Sequence, residues 1–218
     1  MEGIFGLYKP KGPTSFMMIR QLRKILNLRK IGHAGTLDPM ASGVLVIAAG
    51  RNATKQLTGL IKKDKEYVAV VRLGVISTSD DEEGEKIPQI VEKMPTREDV
   101  EMALQKFIGD IEQVPPAFSA LKIQGVPAYK LARRGIALEM QSRLAHIDAI
   151  EIMDFAWPDL KLRVACASGV YIRALARDIG KELGCGAYLA DLERTRVGDY
   201  TLGKALTLEQ IKNNENKL

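Results

Sequence analysis

The chain has 218 residues, with 32 Lys and Arg against 27 Asp and Glu, a formal net charge of +5 and a sequence pI near 9.1. That length carries a full core in one large domain or two small ones, and the mild positive excess fits a polyanionic partner without requiring one. Cys166 and Cys185 are too few for a disulfide framework, only His33 and His146 could add imidazole ligands, and neither type has metal-ligand spacing. A metal site is therefore not expected. No apolar run approaches the roughly 18 residues of a membrane span, and Met1-Glu2-Gly3 does not start a signal peptide. A reduced, cytoplasmic setting is the expectation.

In chain order, Ile4 to Tyr8 reads as a short strand ending in the rigid basic turn Lys9-Pro10-Lys11-Gly12-Pro13. Thr14 or Ser15 can cap a helix whose apolar positions Met18, Ile19, Leu22, Ile25 and Leu26 follow helical spacing. Its other side holds Arg20, Arg23, Lys24, Arg29 and Lys30, either a solvated face or a phosphate-contacting one. His33 to Thr36 is turn-rich, and Asp38 is held extended by Pro39. Val44 to Ala49, six apolar residues between two glycines, read as a buried strand. An Asp before Pro is most often a plain turn former, but a carboxylate on a loop held by a rigid strand also suits catalysis.

Farther on, Lys65 to Leu73 reads as a strand, followed by an acidic loop from Ser77 to Glu85. Thr96 begins a helix with Val100, Ala103, Leu104, Phe107 and Ile108 on its buried stripe, and Val114-Pro115-Pro116 breaks the pattern. Leu144 to Phe155 and Leu160 to Ser168 read as strands, Tyr171 to Leu183 as a helix stopped by Gly184, and Leu208 to Lys212 as a last short helix before a polar tail. Strands and helices mix without strict βαβ alternation. The expected fold class is α+β, with a mixed, largely antiparallel central sheet flanked by helices.

The block from Gly32 to Lys55, GHAGTLDPMASGVLVIAAGRNATK, resembles the catalytic motif of the pseudouridine synthases, in particular the bacterial TruB type, of the form GHxGxLDPxAxGxLxxxxGxATK. Gly32, His33, Gly35, Leu37, Asp38, Pro39, Ala41, Gly43, Leu45 and Gly50 match in register, and Ala53, Thr54 and Lys55 match after one additional residue, since two residues rather than one follow Gly50. The resemblance covers roughly residues 3 to 210. It implies that Asp38 is the catalytic carboxylate and that Lys9 and Pro10 belong to a KPxG segment that builds the site. Tyr67, after Lys65-Glu66, would be an active-site tyrosine able to stack on the base and take part in proton transfer. Arg173, in Gly169-Val170-Tyr171-Ile172-Arg173, would be the ion-pair partner of Asp38. Asp80 would organise nucleotide contacts, although Asp81, Glu82 and Glu83 make it look like part of a solvated acidic run. Leu192 would pack on the flipped uracil, and His33 would fill the space that the extruded base vacates.

A Pro-led, Gly-bounded insertion at about 113–142 resembles the RNA-gripping thumb of the family, with Lys122, Arg133 and Arg134 as phosphate contacts. A basic surface hairpin would have much the same composition. Residues 1–210 would be the catalytic domain and 211–218 a polar tail, without the PUA-type domain that family members commonly add. The implied reaction isomerises a T-loop uridine of tRNA, position 55 in the family, to pseudouridine without a cofactor. Asp38 could attack the sugar at C1′, add to the base at C6 or act as a base at C2′. The implied partner is the tRNA T-arm, met by a monomer with no obligate protein partner. Competing readings are a guide-RNA-dependent synthase and an RNA-folding chaperone.

Overall fold

The computed structural model describes residues 1–119, 121–136 and 138–215. In chain order the elements are β1 (Gly3–Lys9), α1 (Ser15–Ile25), β2 (Ile31–Ala34), β3 (Ser42–Ala49), α2 (Arg51–Thr54), α3 (Leu57–Ile61), β4 (Lys65–Leu73), β5 (Val75–Ser77) and β6 (Lys86–Pro88). Then follow α4 (Arg97–Gln105), β7 (Gly109–Gln113), β8 (Lys122–Ile123), β9 (Val126–Pro127), α5 (Ala128–Ala132), β10 (Arg143–Ala156) and β11 (Asp159–Cys166). The chain closes with α6 (Ile172–Glu182), β12 (Ala187–Val197), β13 (Tyr200–Thr201), a 3-10 turn and α7 (Leu208–Glu215). The architecture is α+β, a mixed and largely antiparallel sheet with flanking helices. Two compact units divide the chain: one holds Met1–Val68, Ala165–Ser168 and Leu192 onward, the other Ala69–Val164 and Gly169–Asp191.

The first unit is built on β3. All eight of its residues are buried, because the two faces of the strand meet different cores. Leu45, Ile47 and Ala49 alternate onto one face with Leu7, Met18, Ile19, Leu22 and Ile211, while Val44 and Val46 pack on the other with Ala34, Val197, Leu57 and Leu60. Period-two alternation thus explains why the run is apolar throughout. β1 lies antiparallel along one edge of β3, from Gly3 opposite Ala49 to Lys9 opposite Gly43. The other edge is shared by β2, antiparallel, and by β12, parallel at Glu193–Ser42 and Arg194–Gly43. Gly43 adopts φ +110°, and a Cβ there would overlap the Arg194 backbone, so only glycine permits this approach.

Thr14, not Ser15, caps α1: its side chain accepts from the Met17 N–H. Met18, Ile19 and Leu22 turn inward, each contributing about 1.5–3 kcal/mol by burial. α7 runs to Glu215, beyond the Lys212 expected from sequence, and its Ile211 is fully buried, so the anticipated polar tail from 211 is helical as far as Glu215.

In the second unit β7 pairs antiparallel with β10, and β5 with β6. α4 begins at a capping box between Thr96 and Asp99 and buries Val100, Ala103 and Leu104. Gly184 takes the left-handed conformation just after α6, as its stop signal implied.

Candidate active site

Asp38 sits in the irregular stretch between β2 and β3, and the backbone on both sides of it is anchored by buried side chains. Before it, Ser15 Oγ accepts from the Leu37 N–H at 2.9 Å and donates to the Leu37 carbonyl at 3.0 Å. After it, the Lys9 ammonium donates to the Ala41 carbonyl at 2.6 Å, to Pro10 at 2.9 Å and to Pro39 at 3.4 Å. Lys9 is 0% exposed, a cost that its three carbonyl acceptors offset by replacing water. The Gly12 N–H also donates to Pro39, and the Ala41 N–H to the Asp38 carbonyl, closing a turn. Asp38 itself stays half-buried. The arrangement fixes a carboxylate while leaving it accessible, which is what positioning a reactive group requires. Lys9 and Pro10 therefore take part in building the loop, and Ser15 joins them as a residue that the sequence reading did not assign to the site.

Tyr67 lies on β4, where burial alternates strictly and the inward positions are Lys65, Tyr67, Ala69, Val71 and Leu73. Burial chiefly raises the pKa of its hydroxyl, and the negative charge of Asp38 adds to this, while the charge of Arg194 and a hydrogen bond from it pull the other way. The phenol is thus neutral near pH 7. Arg194 was missed from sequence, although it falls on the inward phase of β12 two residues after Leu192. It is 1% exposed, and its guanidinium donates to Val44 at 2.8 Å, Gly35 at 3.1 Å and Thr36 at 3.4 Å. It thereby ties the loop containing Asp38 to β3 and holds the Tyr67 hydroxyl. His33, on β2, has its pKa lowered by burial and then by the Arg194 charge, which favours neutral imidazole. Its Nδ1 is buried without a hydrogen-bond partner among the described residues. Leu192 is buried at the start of the first unit's share of β12.

The remaining expected residues fall in the second unit. Arg173 is buried on the first turn of α6, where it pairs with Asp81 at 3.2 Å and donates to the Phe118 carbonyl at 2.8 Å. Asp81 is a partner that the sequence reading did not name for it. Asp80 pairs with Arg177 of the next α6 turn at 2.9 Å and holds a left-handed backbone at φ +62°. Burial raises its pKa and Arg177 opposes the rise. The acidic run is therefore divided, with Asp80 and Asp81 turned toward arginines and Glu82, Glu83 and Glu85 exposed. Within 113–142, β8 and β9 form a hairpin followed by α5; Lys122, Arg133 and Arg134 are exposed, and the Arg133 guanidinium lies 5.8 Å from the Tyr129 ring centroid. Cys166 and Cys185 are both buried, and neither is in a disulfide.

Residues 23–172 match the TruB family pseudouridylate synthase N-terminal domain, and residues 173–217 match the tRNA pseudouridylate synthase B C-terminal domain. The chain belongs to the TruB family. It is 47% identical over 214 residues to the tRNA pseudouridine synthase B of Francisella tularensis subsp. tularensis (strain WY96-3418), covering 97% of this chain and 70% of that one. The enzyme of the same name from Protochlamydia amoebophila (strain UWE25) is also 47% identical, over 97% of this chain and 80% of its own length. Among solved structures, a Cbf5–Nop10–Gar1 complex matches with a TM-score of 0.77 and 31% identity, covering 99% of this chain and 56% of that chain. The archaeal box H/ACA Nop10–Cbf5 complex matches with 0.72 and 30%, covering 98% and 54%. This TruB-family chain thus spans only about half the length of those solved chains.

Proposed function

We propose that this chain is a tRNA pseudouridine synthase, isomerising a T-loop uridine at the position numbered 55 in the family. The observation that carries this reading is Asp38, half-buried on a loop that Lys9 and Ser15 pin from both sides. A uridine stacked in an RNA loop cannot reach such a carboxylate, so the nucleotide is extruded at a cost of about a few kcal/mol, with His33 entering the vacated space. Asp38 initiates cleavage of the C1′–N1 glycosidic bond. The uracil turns, the C1′–C5 bond forms, and the proton lost from C5 is balanced by one gained at N1. Nothing is oxidised, reduced or hydrolysed, so the chemistry itself calls for no cofactor.

In this reading Arg173 pairs with Asp38 and favours its ionised, oriented form. Tyr67 lies under the base, its hydroxyl oriented by Arg194 for proton transfer. Leu192 packs against the uracil, Asp80 organises nucleotide contacts, and Lys122, Arg133 and Arg134 hold phosphates. The chain acts as a cytoplasmic monomer on the T-arm. The likeness to box H/ACA proteins favours a second, guide-RNA-dependent reading, which the higher identity to proteins named tRNA pseudouridine synthase B outweighs. Mass-spectrometric mapping of unmodified tRNA incubated with the purified chain alone, without guide RNA or protein partners, tests the choice. Pseudouridine in the T-loop is expected, and its absence would sink the stand-alone reading.

A further inference from the structure

Charge is unevenly divided along this chain. From Gly3 to Lys63 there are eleven Lys and Arg residues and a single carboxylate side chain, Asp38, whereas the other residues hold 21 basic and 26 acidic side chains. The segment is therefore +10 and the rest −5, so the modest overall excess conceals a strongly cationic portion of the first unit. Within it, α1 carries no acidic residue. Its outward face carries Arg20, Gln21 and Lys24 beside Phe16 and Met17, which are 60% and 46% exposed. Met17, Arg20, Gln21 and Lys24 line a shallow hollow of about 210 Å³.

A helix face that only meets water has no need of a phenylalanine and a methionine there. The pairing of an exposed ring with cations is the chemistry of base stacking and phosphate neutralisation. Phe16, Arg20 and Lys24 stand four residues apart, which places them along one face of the helix over about 12 Å. The face also begins at the reactive loop: Ser15, the neighbour of Phe16, makes both hydrogen bonds to Leu37, one residue before Asp38.

We propose that Phe16, Arg20 and Lys24 form an RNA-binding surface separate from the thumb, on which the strand adjoining the target nucleotide lies. Phe16 stacks on an unpaired base, and Arg20 and Lys24 neutralise successive phosphates. The inference rests on the proposed RNA substrate. It is also a claim about where the cations of α1 are used, and it can fail separately.

The test measures the affinity of an unmodified tRNA transcript for the Asp38→Asn protein over a series of salt concentrations. Arg20→Gln with Lys24→Gln keeps good helix formers, and an unchanged thermal melt establishes that the fold is intact. The double variant is expected to weaken binding about tenfold at 0.1 M salt, and to reduce the slope of log affinity against log salt by about 1.4–1.8, the loss of two phosphate contacts. Phe16→Ala is expected to weaken binding roughly fivefold or more with the slope retained, and Phe16→Trp to restore it. Lys161→Gln with Lys181→Gln removes the same charge from exposed positions in the second unit and serves as the comparison. Affinity and slope in the α1 variant equal to those of that comparison would overturn the proposal. So would loss of a homodimer or of an acidic protein partner with tRNA affinity unchanged. If wild-type protein makes no pseudouridine yet the α1 variants still lose RNA affinity, the surface stands and the assigned reaction falls. If pseudouridine forms and α1 is indifferent, the surface alone falls.

Discussion

Lys9 and Arg194 in the first unit are buried and direct their donors at backbone carbonyls, whereas Lys122, Arg133 and Arg134 in the second are exposed. The same residue types do different work according to their solvent. A buried cation without acceptors would be severely penalised, so Lys9 and Arg194 specify one conformation of the backbone around Asp38. The exposed cations keep their water and their rotamer freedom, contribute little to the fold, and remain available to a polyanion. Conservative-looking substitutions should therefore fail in opposite ways in the two regions.

The largest effect is expected inside. Lys9→Met removes the ammonium from the Pro10 and Ala41 carbonyls, leaves Pro39 with only the Gly12 N–H, and should cost about 2–4 kcal/mol of stability. The turnover rate should fall roughly 100-fold as the loop relaxes. Thermal melts with single-turnover assays measure both, and a variant that melts normally and turns over normally would break the distinction. In the exposed region, Arg133→Gln with Arg134→Gln should raise KM about tenfold and flatten its salt dependence, with stability held within about 0.5 kcal/mol. A large drop in melting temperature would show that these arginines belong to the fold.

The smallest effect concerns His33. Its pKa is lowered in the folded protein from the ordinary 6.5, so the unfolded chain takes up the proton first on acidification. Its contribution to stability is complete above pH 6.5 and is lost as pH falls toward the folded pKa. Denaturation midpoints between pH 7.5 and 5.5 should fall more steeply for wild type than for His33→Gln. Parallel profiles would remove His33 from the Arg194 environment.

Much of this was legible in the sequence, for identifiable reasons. The strand-like run from Lys65 to Leu73 gave β4 its observed limits, helical spacing gave α1 its buried stripe, and the motif around Asp38 gave the loop. Contacts between distant positions were not legible. Arg194 meets Val44 across 150 residues, and no local pattern announces a parallel pairing that depends on Gly43 lacking a side chain. Ser15 was obscured by Thr14, since either could cap the helix and only the structure frees one of them for Leu37. Asp81 was hidden in a run of like charge, where composition suggests solvent and Arg173 provides the exception.

The central claim is that the loop is built to present Asp38, and that this carboxylate performs the chemistry. Single-turnover conversion of an unmodified tRNA transcript by Asp38→Asn, followed by mass spectrometry alongside the melting curve and tRNA affinity, tests it most directly. The account predicts a normal fold, tRNA affinity within a few-fold of wild type, and pseudouridine formation reduced by about 10⁴-fold or more. T-loop pseudouridine formed at a rate within tenfold of wild type would contradict it.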